Sequence, residues 1–155
     1  MMSGRYFCRD VTAATFYMTS GTNVLRSTPT APLALICVVD DDAAVRQALD
    51  NLLTSADYVP LCFDSGEACL SYAKLGDVDF AVVDVKLGGM SGFELQQRLN
   101  VMALDLPLVF ISGHADQAME QLAVKAGAVA LLHKPVDVDR LLMLIEGALA
   151  GRAQP

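Results

Sequence analysis

Residues 33–42 read LALICVVDDD, and the architecture follows from how that stretch is taken. Seven consecutive apolar residues, Leu33 to Val39, stop at three aspartates. A short, continuous apolar run without alternation indicates a strand covered on both faces. The segment after it places Val45, Leu49, Leu52 and Leu53 at the i, i+4, i+7, i+8 spacing of a helix with one buried side.

The same alternation continues down the chain. Tyr58 to Phe63 is a second strand, and Ser65 caps a helix running through Ala68, Leu70 and Ala73 to Gly76. Phe80 to Val83 is a third strand ending at Asp84, followed by a glycine-rich loop, Lys86 to Gly92. Phe93, Leu95 and Leu99 mark a helix that ends near Asn100. Leu108 to Ile111 is the fourth strand, ending at Ser112-Gly113. Ala118, Leu122 and Ala126 form the apolar face of the next helix, closed by Gly127. Ala128 to Leu132 is the fifth strand, and Asp137 to Ala150 the last helix, with Leu141, Leu142, Leu144 and Ile145 as its apolar residues. Five apolar strands alternating with five helices predict an α/β domain: a single doubly wound (βα)5 flavodoxin-like fold around a five-stranded parallel sheet.

Bulk properties narrow the function. Of the 155 residues 54% are hydrophobic and 19% charged, a globular composition. Net charge is −7, and residues 1–31 hold Arg5, Arg9 and Arg26 against Asp10, so the remainder carries −9. Such a body repels phosphate backbones and argues against direct nucleic-acid binding. Cys8, Cys37, Cys62 and Cys69 contain no CxxC pair, which removes the usual zinc pattern and fits a reducing, cytoplasmic location. No apolar run reaches the roughly 18 residues of a membrane span, and the N-terminus lacks a signal-peptide core. Residues 1–31, rich in Ser, Thr, Gly and Arg, read as a disordered extension, 32–150 as the folded domain and 151–155 as a short tail. Met18 offers an alternative start.

Ligands of such sheets bind beyond the carboxyl ends of the strands. There the sequence places Asp40, Asp41 and Asp42 after strand one, Asp84 at strand three, Ser112 at strand four and Lys134 at strand five. Each group alone is ordinary: acidic triplets often cap helices, and Ser-Gly is a common turn. Together they are one kit. Clustered carboxylates favour a hard cation such as Mg²⁺, and a carboxylate can attack phosphorus to give an aspartyl-phosphate. An ammonium and a hydroxyl would steady the phosphoryl oxygens.

In VVDDDAAVRQAL (38–49), VVDVKLGGMSGFEL (82–95), VFISGHAD (109–116) and KAGAVALLHKP (125–135), the chain resembles the response-regulator receiver domains of two-component systems, most closely the FixJ-like branch. The resemblance implies that Asp84 is the phosphoacceptor. Asp41 would be a direct Mg²⁺ ligand, Asp40 would act mainly through water, and the backbone carbonyl of Lys86 would complete the set. Ser112 would follow the phosphoryl group and Lys134 would pair with it. The bond before Pro135 is expected to be cis. Lys86 and His114 occupy positions that tune the lifetime of the phosphorylated state, and His133 is a helper of the local surface.

Two departures stand out. Gly88, followed by Gly89, replaces a frequent proline, which loosens the loop. Leu131 stands at the switch position, where a ring is usual. The resemblance implies a phosphoprotein that catalyses only its own phosphorylation and dephosphorylation. The donor would be a sensor histidine kinase or a histidine phosphotransfer protein. Output would pass to an unidentified downstream protein through the face of the fourth helix, fifth strand and fifth helix. A DNA-binding domain after residue 155 would need at least about 50 more residues, so stand-alone action is expected. The alternative is a pseudo-receiver, a binding module that is not phosphorylated. A phosphatase of the haloacid dehalogenase-like class fits poorly, because Asp77 and Asp79 start a strand rather than end one and Lys86 stands where an acid is needed.

Overall fold

The computed structural model describes residues 33–102 and 104–152. The expected extension over 1–31 lies outside them.

The strands are β1 (Leu35–Val39), β2 (Val59–Phe63), β3 (Phe80–Asp84), β4 (Leu108–Ser112) and β5 (Ala130–His133). The helices are α1 (Ala43–Ser55), α2 (Gly66–Leu70), α3 (Gly92–Val101), α4 (Gln117–Lys125) and α5 (Val138–Arg152). All neighbouring strands are parallel, in the order β2-β1-β3-β4-β5. Among the described residues no helix is long and apolar enough to cross a membrane.

The continuous apolar runs are explained by burial on both faces. Successive side chains of a strand point to opposite sides. Ile36 and Val38 of β1 join Leu49 and Leu53 of α1 and Leu141 and Ile145 of α5 in one core cluster. Cys37 and Val39 join Cys69 of α2, Leu95 and Leu99 of α3 and Ala123 of α4 in the other. The sheet is thus covered by two helices on one side and three on the other. Strands β3 and β4 are buried along their whole lengths.

Local chemistry fixes the helix starts. Asp42 caps α1, its Oδ1 accepting from Ala44 N at 2.8 Å and from Val45 N at 3.5 Å. Ser91 and Glu94 close a reciprocal capping box on α3. Asp116 caps α4 by accepting from Met119 N at 2.8 Å. Each cap contributes about 1 kcal/mol.

Several sequence expectations need correction. The second helix does not run to Gly76. It stops at Leu70, Tyr72 N turns back to Cys69 O at 3.1 Å, and a 3-10 turn at Leu75–Asp77 follows. The turn lets Leu75 and Val78 enter the core while Tyr72 packs on Phe63 at 5.7 Å between ring centroids. The buried face of α4 is Met119, Ala123 and Ala126, not Ala118, Leu122 and Ala126; Leu122 is 54% exposed. The last helix continues through Arg152, two residues into the expected tail. Strand β5 starts at Ala130, because Gly127, at φ +86, and Ala128 finish α4: Gly127 N donates to Val124 O and Ala128 N to Ala123 O, each at 3.0 Å.

Candidate functional site

A parallel sheet delivers every strand's carboxyl end to one edge, so register alone gathers the polar groups. Val39 of β1 pairs with Val83 of β3, which sets Asp40 next to Asp84. Asp84 pairs with Ile111 of β4, and Ser112 pairs with His133 of β5, bringing Lys134 to the same edge.

The side chains meet there. Asp40 is fully buried and Asp84 is 4% exposed. Lys134 Nζ lies 2.8 Å from Asp40 Oδ2 and donates to Asp84 Oδ2 at 3.0 Å. Among the described residues the Lys134 ammonium is the single polar group that meets Asp40 Oδ2. Asp40 Oδ1 accepts from Asp42 N at 2.8 Å, and Asp84 Oδ1 from Lys86 N at 3.1 Å. Asp41 is exposed, and one carboxylate oxygen from each of Asp40, Asp41 and Asp84 lies within 4.8 Å of the others.

Electrostatics follow from this crowding. Burial raises the Asp84 pKa most and the Asp40 charge raises it further; the bonds from Lys134 and Lys86 N oppose both without cancelling them. For Lys134, burial is the largest single influence and lowers the pKa. Its bonds and charge contacts with Asp40 and Asp84 together outweigh burial and hold the ammonium above its ordinary range. Two buried carboxylates share a single ammonium, with a third acid at the rim. That imbalance and the all-oxygen donor set of Asp40, Asp41 and Asp84 fit a hard divalent cation.

The remaining expected residues are placed as follows. Ser112 is buried at the end of β4; its Oγ accepts from His114 N at 3.2 Å and its carbonyl from Lys134 N at 2.9 Å. One lone pair of the hydroxyl is therefore engaged, and among the described residues its proton has no acceptor. Lys86 and His114 are exposed. The Lys134–Pro135 bond is cis. Leu131 is 8% exposed and sits in the core cluster that contains Phe110. His133 Nε2 lies 3.4 Å from Glu120 Oε1 of α4, away from the acids.

A family model described as the response regulator receiver domain matches residues 36–146. The chain belongs to that family. This receiver domain is 38% identical over 120 residues to the transcriptional regulatory protein FixJ of Bradyrhizobium diazoefficiens, covering 77% of this chain and 58% of FixJ. It is 36% identical over 116 residues to the response regulator protein TodT of Pseudomonas putida, covering 75% of this chain and 51% of TodT. The chain therefore spans only half to three-fifths of these relatives. Among solved structures it is similar to the response regulator StyR, with 39% identity and a TM-score of 0.69 over 76% of this chain and 60% of that one. It is also similar to a receiver domain from Clostridium thermocellum, with 26% identity and a TM-score of 0.72 over 77% and 97% of the two chains.

Three residues around the receiver's pocket escaped the sequence reading. Arg46 Nη1 donates to the Asp40 carbonyl at 2.7 Å, tying α1 to the acidic turn. Glu67 of α2 accepts from Met90 N at 3.2 Å, across to the glycine loop. Gly92 starts α3 where an added Cβ would lie 2.3 Å from the Asp84 carbonyl oxygen. Arg46 and Glu67 read as ordinary helix-surface charges, and only the coordinates reveal their partners. Gly92, following a strand and loop, could have been suspected of close backbone approach.

Proposed function

We propose that the chain accepts a phosphoryl group on Asp84 from the phosphohistidine of a sensor histidine kinase or histidine phosphotransfer protein, and signals by changed protein contacts. The observation that carries this reading is the buried Asp84, with Lys134 on one carboxylate oxygen and the Lys86 amide on the other, beside Asp40 and Asp41. The receiver family membership supports it.

In the transfer, an Asp84 oxygen attacks phosphorus, the O–P bond forms as the N–P bond breaks, and the electron pair returns to the donor's imidazole nitrogen. Asp41, Asp84 and the Lys86 carbonyl would hold Mg²⁺, with Asp40 acting through water, and the ion would supply positive charge to offset the phosphoryl oxygens. Lys134 holds its proton firmly and stays cationic to pair with the phosphoryl group. The Ser112 hydroxyl donates a further hydrogen bond to it. Exposed Lys86 and His114 flank the approach of water and tune the lifetime of the acyl phosphate.

The downstream partner is a protein, engaged through α4, β5 and α5. The acidic body of the receiver makes no direct contact with nucleic acid, and the site of action is the cytoplasm.

The test is incubation with Mg²⁺ and acetyl phosphate, read by intact mass. Wild type should gain one phosphoryl group and Asp84→Asn none. No gain in wild type would replace this reading by the pseudo-receiver, a binding module favoured by Leu131, which packs in the core with no ring to swing.

A further inference from the structure

Gly88 and Gly89 in series give the β3–α3 loop more backbone freedom than any other residue pair. Yet this loop has to present the Lys86 carbonyl at a fixed place beside the acids. Its ends are held: Lys86 N donates to Asp84 Oδ1 at 3.1 Å, and Gly92 N to Val85 O at 3.0 Å. Between those anchors α2 supplies a third. Met90 N donates to Glu67 Oε1 at 3.2 Å, and the Met90 side chain is buried against Gly66, where an added Cβ would meet Met90 Sδ at 2.8 Å. Gly89, at φ +82, passes so close that a Cβ there would lie 3.1 Å from Glu67 Oε1.

The needs of α2 do not account for this. Ser65 already caps the helix, its Oγ accepting from Ala68 N at 3.1 Å. An acid in a first turn ordinarily serves the helix dipole from a solvated position. Glu67 instead reaches across to another element and supplies the acceptor that the Met90 amide needs.

We propose that Glu67 is a positioning residue for the acidic pocket. By holding the Met90 amide it limits the free part of the loop to Leu87, Gly88 and Gly89, and so fixes the Lys86 carbonyl for the divalent cation. The inference rests on the reading of the pocket as a Mg²⁺ and phosphoryl site. Residues that orient metal ligands without touching the metal commonly change its affinity by 10-fold or more.

The test uses the full chain with Glu67→Ala and Glu67→Gln, both checked for folding by circular dichroism. Hydrogen exchange over residues 87–90 is measured by mass spectrometry and Mg²⁺ affinity by calorimetry. Glu67→Ala should speed exchange in that loop and weaken Mg²⁺ binding roughly 10-fold. Glu67→Gln keeps an acceptor oxygen and should restore most of both. Unchanged loop exchange and Mg²⁺ affinity in Glu67→Ala would overturn the proposal. So would a Gln variant as impaired as Ala, since charge and not the tether would then be responsible. Wild type that binds no Mg²⁺ would instead overturn the functional reading beneath it.

Discussion

Asp84 is held where its ionised form costs stability. Burial first, and then the Asp40 charge, raise its pKa in the folded state. The folded protein therefore binds this proton more tightly than the unfolded chain. The resulting stabilisation is present at acid pH and is lost as pH rises through the folded value. Asn has the shape of the protonated acid and no charge. Lys134 would keep Asp40 at 2.8 Å, and the Lys86 amide would keep an oxygen acceptor. Without Mg²⁺, Asp84→Asn should accordingly be more stable than wild type at pH 7, with the gap closing toward pH 4. Urea denaturation at the two pH values measures this, and a variant less stable than wild type at pH 7 would refute it. That the carboxylates and Lys134 meet was legible in the sequence, because a parallel sheet brings the carboxyl ends of its strands to one edge. The roles of Arg46 and Glu67 were not, since a surface charge on a helix carries no mark of its partner.

Among the elements, strands were easier to read than helix faces. A parallel strand buried on both sides needs apolar residues throughout, so β1, β3 and β4 announce themselves. A helix reveals a period but not its phase. In α4, Ala118, Leu122 and Ala126 lie beside the stripe Met119, Ala123 and Ala126, and the structure buries the second. The cluster beneath already holds Phe110 and Leu131, and the methyl group of Ala123 suffices there. The packing of α3 against β3 is tighter still. Alanine at Gly92, the first residue of α3, would gain at most about 1 kcal/mol in helix propensity. Its Cβ, however, would fall 2.3 Å from a backbone oxygen of Asp84, an atom with no rotamer to escape into. Overpacking of this kind costs about 1–3 kcal/mol, and this contact belongs at the upper end. Gly92→Ala should thus destabilise the domain by roughly 2 kcal/mol net and slow acetyl-phosphate labelling through displacement of Asp84. Thermal denaturation together with labelling kinetics would test this; wild-type values in both would show that the helix can shift without cost.

For the molecule as a whole, the fold places mutually repelling acids at one edge of a well-packed sheet, so the proposed Mg²⁺ binding would be linked to folding. The unfolded chain separates Asp40 and Asp41 from Asp84 and offers no comparable site. A cation bound only by the native state stabilises it by about 2.7 kcal/mol at 100 times its dissociation constant. The denaturation midpoint should therefore climb with Mg²⁺ concentration at constant ionic strength. Asp41 is exposed, caps nothing and forms no bond that supports the core among the described residues. Asp41→Ala should leave stability without Mg²⁺ within about 0.5 kcal/mol of wild type while flattening the Mg²⁺ dependence. Denaturant titrations of both proteins across a Mg²⁺ series separate the two effects. A Mg²⁺ response equally steep in Asp41→Ala would mean that the ion is held elsewhere, and the geometry of the three carboxylates would no longer explain the pocket.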